Sequence, residues 1–112
     1  MTNEQNTHAR PDVVQILGMT YPVRTEPNEH FVNNANGKID GDAQYILIAD
    51  ALGPDKDRET LLHEVIHGIS FAMCSDLTEH QVRSMANGLY AVLRNNPALV
   101  AYLTALNEKG NE

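Results

Sequence analysis

The sequence predicts an α+β fold, in which a small, mainly antiparallel sheet of three to five strands is followed by two or three helices. Two observations support this prediction: short β-branched segments fill the first half, and helical periodicity replaces them after Ala49. The chain has 112 residues, of which 42% are apolar, enough for one domain with its own core. We expect that domain at residues 12–107, between a flexible tail at 1–11 and a polar tail at 108–112.

The strands are predicted from apolar runs that end at turn residues. They are residues 13–17, 21–24, 31–33, 38–40 and 45–49. Gly18, Asn36-Gly37 and Gly41-Asp42 supply the turn signals between them. Pro22 places the second strand at an edge of the sheet, because proline has no N–H to donate to a neighbouring strand.

The first helix is predicted to begin at a cap formed by Asp55 or Asp57 and to end near Met73 or Cys74. Its apolar side chains recur with helical spacing and should form the buried stripe. They are Leu61, Leu62, Val65, Ile66, Ile69, Ala72 and Met73.

Two further helices follow a break at Ser75-Asp76. Thr78 is a suitable N-cap, and Gln81 three residues later completes a capping box. This second helix should run to about Arg94, and Pro97 suits the first turn of a short third helix.

The charge balance narrows the classes of partner. The chain carries 15 acidic and 8 basic side chains, a net charge of −7, which argues against nucleic acid or an anionic membrane as partner. A single cysteine, Cys74, rules out an internal disulfide and a multi-cysteine zinc site. The polar start carries no secretory signal, and no apolar run is long enough to span a membrane. We therefore expect a cytoplasmic protein, and we favour a monomer.

The motif that carries chemistry is His63-Glu64-Val65-Ile66-His67, an HExxH sequence within the first predicted helix. Residues four apart project from one face of a helix, so both imidazoles can bind one metal ion. Glu64 would lie beside that ion, where it can accept a proton from a metal-activated water and deliver it to a leaving amine. Two histidines and an open position are typical of catalytic zinc, and one Zn²⁺ ion is the expected cofactor.

Catalytic zinc needs a third protein ligand, and several residues compete for that role. Cys74 lies on the histidine stripe, but about 10 Å beyond His67 along the axis, so we interpret it as a buried residue or a helix-end thiol. Glu79 fits best, because it starts the apolar stripe of the second helix and an acid there needs a partner. His80 and Asp76 remain open as alternatives.

Four other residues have weaker claims. Tyr90 shares the stripe of Glu79 and could support an oxyanion, although core packing is the simpler interpretation. Asn87 could orient a ligand or simply be solvated. His8 and His30 lie in segments predicted as tail and loop, and we interpret both as surface histidines.

The segments Thr60–Ile69 and Met85–Tyr90 resemble small phage-encoded zincin metallopeptidases, similar to the ImmA/IrrE class and to minimal gluzincins. The resemblance covers residues 12–98, and its sharpest part is the HExxH segment. It implies a short antiparallel sheet joined to the HExxH helix, with an acidic third ligand on the following helix.

Position by position, the resemblance implies that His63 and His67 bind the metal and that Glu64 is the general base; it also favours Glu79 as third ligand. The predicted function is a zinc-dependent metallopeptidase acting on a peptide or protein, in the host cytoplasm if the protein is phage-encoded. The strand at 45–49 is hypothesised to form the edge of the cleft. The alternatives are a metal-stabilised protein-binding module without proteolysis and a non-peptide metallohydrolase.

Overall fold

In the part of the chain that the structure describes, four strands are followed by three α-helices, which confirms the α+β prediction. The computed structural model describes residues 9–33 and 35–106. The strands are β1 (Val13–Ile16), β2 (Met19–Glu26), β3 (Gly37–Asp40) and β4 (Tyr45–Ala49). The helices are α1 (Pro54–Met73), α2 (Glu79–Asn95) and α3 (Pro97–Thr104), and a short 3₁₀ helix spans Asn28–His30.

The sheet has the order β1-β2-β4-β3, with antiparallel β1–β2 and β3–β4 pairs and a parallel pair between β2 and β4. The predicted edge position of the strand that contains Pro22 is wrong, since β2 lies inside the sheet. Pro22 is tolerated there because β1 pairs with β2 only up to Pro22, and the pairing with β4 begins at Val23. The missing N–H therefore falls where β2 changes its neighbour.

The segment before β3 differs from the prediction. Residues 31–33 form no strand, and Gly37 belongs to β3 rather than to a turn. The carbonyl of Asn36 accepts a hydrogen bond from the N–H of Ala49 at 2.8 Å, so pairing with β4 overrides the local turn preference of Asn36-Gly37. The predicted hairpin between residues 38–40 and 45–49 is confirmed by the β3–β4 pair.

Helix α1 begins one turn earlier than a cap at Asp57 would require. Gly53 is its N-cap, without a side-chain capping bond, and Pro54 occupies the first helical position. The predicted caps Asp55 and Asp57 are therefore wrong; both lie in the first turn, where acidic side chains interact favourably with the helix dipole. At the other end, Cys74 is an exposed left-handed cap with φ 53°, the helix-end thiol of the two interpretations.

The predicted capping box is confirmed. The Thr78 hydroxyl accepts a hydrogen bond from the N–H of Gln81 at 3.1 Å, and the Gln81 side chain accepts one from the N–H of Thr78 at 2.9 Å. Pro97 opens α3, as predicted.

Helix α1 packs on two sides, and each side has its own core cluster. The sheet-side cluster consists of Ile16, Tyr21, Val23, Ile46 and Ile48. The helix-side cluster, shared with α2, consists of Ile66, Val82 and Ala86. Three residues predicted to be buried, Ile69, Ala72 and Met73, are exposed, Ile69 by 41% and Met73 by 60%, because they lie outside the two packed sides of α1. Gly68 is buried instead, since a Cβ there would lie 2.7 Å from Cδ1 of Ile16.

Residues 1–8 and 108–112 of the two predicted tails lie outside the described residues. Arg10, in the predicted N-terminal tail, forms an ion pair with Asp57 at 3.0 Å. None of the helices in the described ranges combines the length and the apolar character of a membrane span.

Candidate metal centre

The two histidines of the motif lie on the part of α1 that lines a cleft. His63 and His67 are one helical turn apart, and their ring centroids are 5.0 Å from each other. Both side chains are about one-fifth exposed. This part faces the cleft because the sheet covers α1 on one side of it and α2 covers α1 on the other.

Glu79 reaches both histidines from the next helix. Its Oε2 lies 3.0 Å from Nε2 of His63, and its Oε1 lies 2.9 Å from Nε2 of His67. Glu79 is the first residue of α2, directly after the Thr78 cap. The capping box fixes the start of the helix and therefore the position of the Glu79 backbone. The structure thus brings together the three residues that the sequence analysis favours as metal ligands.

The geometry of these three residues fits a metal ion. Each of the three residues offers one ligand atom, an imidazole nitrogen or a carboxylate oxygen, and these atoms lie within 4.8 Å of one another. In a tetrahedral zinc site with bonds of about 2.0–2.1 Å, ligand atoms are about 3.3 Å apart. The observed nitrogen–oxygen distances of 2.9 and 3.0 Å therefore need to widen by only a few tenths of an ångström.

The competing ligands are not part of this cluster. Among residues 9–33 and 35–106, the group of three that could hold a metal contains Glu79 but neither His80 nor Asp76. His80 is exposed and follows Glu79 on the helix, so its side chain points about 100° away from that of Glu79. Asp76 lies in the loop before α2, in the left-handed region at φ 57°.

Glu64 is the buried carboxylate of the site, with 6% of its surface exposed. A Cβ placed on Gly37 would lie 3.2 Å from its Oε2, so the backbone of β3 passes directly over it. Burial, and secondarily the charge of Glu79, raise the pKa of Glu64 to about 7. A group with this pKa can both accept and release a proton near neutral pH.

The neighbouring imidazole is also tuned by burial. Desolvation is the main cause that lowers the pKa of His63, and the negative charge of Glu79 acts in the opposite direction. The lowered pKa favours the neutral ring near pH 7, which is the form that binds a metal.

The histidines lie on the floor of an open cleft of about 1140 Å³. One wall is α2; the other is formed by residues 30–33 and 35–39, which include part of β3. The hypothesis that the strand at 45–49 forms the cleft edge is wrong, because β4 lies between β2 and β3. The edge strand beside the cleft is β3, placed there by the parallel β2–β4 pairing.

Two residues of the site were missed by sequence reasoning. The buried Ser70 accepts a hydrogen bond at its Oγ from the N–H of Leu77 at 3.0 Å, and so ties α1 to the loop that leads to Glu79. Arg83 lines the cleft one turn after Glu79, with Nη2 3.4 Å from its Oε2. The i, i+4 spacing of Glu79 and Arg83 is a signal that could have identified the second of these.

The four residues that the sequence suggests less strongly differ in their position relative to the cleft. Tyr90 does not line the cleft: its hydroxyl donates to Asp55 at 2.8 Å, so an oxyanion role is not supported. Asn87 and the exposed His30 both line the cleft. A hydrogen bond to Glu26 is the main cause that raises the pKa of His30. His8 lies outside the described residues.

Comparisons with protein-family models, with curated protein sequences and with solved structures found no match for this chain.

Proposed function

We propose that this protein is a zinc-dependent peptidase of the zincin class. The observation that carries the proposal is the convergence of His63 and His67 on the carboxylate of Glu79, beside a buried fourth residue, Glu64. A purely structural zinc site has no need of a buried carboxylate beside the ion, whereas hydrolysis needs a proton acceptor there. His63, His67 and Glu79 are the residues that would hold the ion.

When bound, zinc supplies a Lewis acid for a peptide carbonyl and lowers the pKa of water at its open coordination position. Glu64 accepts the proton of the attacking water on a carboxylate oxygen and donates it to the nitrogen of the leaving amine. The wall formed by β3 covers one side of Glu64, so that bulk water is excluded from that side.

Strand β3 supports a peptide as the substrate class. It pairs with β4 on one side and is the last strand of the sheet within the described chain, so the backbone groups of its other side are available. An extended peptide can add to such an edge by main-chain hydrogen bonds, which are independent of the substrate's sequence. The edge lies along the wall of the cleft that contains the histidines.

The first test identifies the metal and its ligands. We expect the purified protein to bind one zinc ion. Glu79→Ala should weaken zinc binding by more than about 10-fold, because even the loss of a group that only supports a ligand typically costs about 10- to 100-fold. His80→Ala is the matched control, since His80 is adjacent in sequence and outside the cluster. Full zinc affinity in Glu79→Ala would contradict the assignment of the third ligand.

The second test separates catalysis from binding alone. Wild-type protein with zinc should cleave an unfolded protein substrate, and Glu64→Gln should retain zinc while losing cleavage. Glu29→Gln makes the same chemical change at an exposed position of the 3₁₀ helix, and should leave cleavage unchanged. If zinc binds but neither wild type nor Glu29→Gln cleaves any peptide, the metal-stabilised binding module becomes the better account.

A further inference from the structure

Arg83 is a cation in direct contact with a residue of the proposed metal site. It lies on α2 one turn after Glu79, and 57% of its side chain is exposed. Nη2 approaches Glu79 at 3.4 Å, and Nη2 belongs to a guanidinium with five N–H donors. This single long contact leaves most of the donors free to face the cleft that Arg83 lines.

The contact with Glu79 is too weak to be the whole role of Arg83. An exposed pair four residues apart on a helix contributes little to stability. Both oxygens of Glu79 already contact imidazoles at 2.9 and 3.0 Å, shorter distances than the one to Arg83. Glu79 is thus held mainly by the histidines, and Arg83 remains available for another anion.

The charge of the cleft differs from that of the whole chain. Apart from Glu64 and Glu79, the acidic and basic side chains that line it are Lys38, Lys56, Arg83 and Glu59. The Lys38 side chain lies over the Tyr45 ring, on the face of the sheet away from α1, and Lys56 pairs with Glu59 at 3.7 Å. Arg83 therefore supplies the positive charge that remains in the cleft, in a chain with 8 bases and 15 acids. The two charges of a zinc ion would be balanced by Glu64 and Glu79, so the charge of Arg83 would remain for the substrate. Such a cleft attracts anions, although the protein as a whole repels them.

We propose that Arg83 binds a carboxylate of the peptide in the cleft, either an Asp or Glu side chain or the C-terminal carboxylate. This inference rests on the proposed peptidase function and adds its substrate class: acidic or C-terminal peptide segments. A guanidinium suits this role because its planar fork can donate two parallel hydrogen bonds to one carboxylate. Its position beside Glu79 places the bound carboxylate next to the metal site.

The test measures peptide binding in the zinc-loaded Glu64→Gln protein, which leaves the peptides intact. Four fluorescent peptides of equal length and neutral core sequence are compared by anisotropy at low salt. The first pair differs only in a free or amidated C-terminus. The second pair is amidated and differs only in Asp or Asn at the central position. The two pairs distinguish the two sources of the carboxylate.

In one of the two pairs, we expect the peptide with the carboxylate to bind about 10-fold more tightly than its partner. In the Arg83→Gln protein, this preference should fall to less than about 2-fold. Arg58→Gln is the matched control: Arg58 lies on α1, pairs with Asp55 and does not line the cleft. The proposal is overturned if neither pair shows a preference, or if Arg58→Gln and Arg83→Gln reduce it equally. A loss of zinc affinity in Arg83→Gln, with the preference intact, would make Arg83 a positioning residue for Glu79 instead.

Zinc content and cleavage of an unfolded protein are measured on the same wild-type preparation, so that the two proposals fail separately. An Arg83-dependent preference in protein that binds no zinc would support the carboxylate site and contradict the peptidase. Zinc binding and cleavage without any preference would support the peptidase and contradict the carboxylate site.

Discussion

The two sides of α1 are built differently. On the side of the sheet, five buried residues form the sheet-side cluster, with five partly buried apolar side chains packed against it. On the side of α2, the helix-side cluster has three buried residues and two partly buried ones. The following helix, α3, buries no residue at all. The HExxH histidines therefore lie on a helix that packs against both clusters, whereas the third proposed ligand lies on α2, which contributes to the smaller cluster.

This difference shows which parts of the fold the proposed metal site connects. The contacts between the histidines and Glu79 cross the less packed boundary, so a metal ion there would connect α2 to the rest of the fold. The following predictions test the contrast, from the largest expected effect to the smallest.

Ile48→Ala should lower the free energy of unfolding by about 4 kcal/mol, because Ile48 is fully buried in the sheet-side cluster and truncation leaves a cavity. Val82→Ala, its counterpart in the helix-side cluster, should cost about 2 kcal/mol, since fewer atoms are removed. Urea denaturation of both variants and the wild type measures the two losses in the free energy of unfolding. An effect of Val82→Ala as large as that of Ile48→Ala would show that the two sides are equally important.

Glu64→Gln should stabilise the metal-free protein by about 3 kcal/mol at about pH 8, and much less at about pH 4.5. The folded-state pKa of Glu64, about 7, lies above its ordinary value of 4.5. The folded protein therefore binds the proton more tightly, and stability is lost as pH rises from about 4.5 to about 7. Denaturation of the wild type and of Glu64→Gln, both with a chelator present and across this pH range, gives the difference in their free energies of unfolding. A pH-independent difference would mean that Glu64 ionises normally in the fold.

Zinc at about 100 times its dissociation constant should raise the free energy of unfolding by about 2.7 kcal/mol. Hydrogen exchange should show the gain at the start of α2, because Glu79 is its first residue and the helix-side cluster is small. Glu79→Ala should lose most of this gain, and His80→Ala should keep it. Equal stabilisation of the wild type and Glu79→Ala would place the ion elsewhere.

Leu103→Ser should change stability by less than about 0.5 kcal/mol, because the side chain is 63% exposed on α3. Thermal unfolding against the wild type is sufficient to measure it. A loss above about 1.5 kcal/mol would show that α3 is covered in solution, and the contrast between the two halves would then need revision.

Local patterns predicted the helices well. The Thr78–Gln81 capping box, the start of α3 at Pro97 and the hairpin of β3 and β4 all depend on residues close together in sequence. The HExxH spacing is equally local, since a helical turn alone brings His63 and His67 together.

Sheet order was less accessible, because it depends on pairing between distant segments. The parallel β2–β4 pair joins Val23 to Ile46, and it moves β3 to the edge that borders the cleft. The partner of Tyr90 could not be foreseen for the same reason, because Asp55 lies 35 residues earlier. Residues 31–33 have the composition of a strand, but a strand also needs a neighbour to pair with, and composition does not reveal one.

The bond between Ser70 and Leu77 has a consequence for how this site can vary. Five residues, 74–78, separate the two helices, and the buried Ser70 hydroxyl holds Leu77 two positions before Glu79. The reach of Glu79 is therefore set by the length of this connection more than by the identity of its residues. Deleting one residue there would leave the HExxH motif unchanged in sequence and yet move its third donor out of reach. A comparison of related chains should accordingly count the residues between the helices before it matches their side chains.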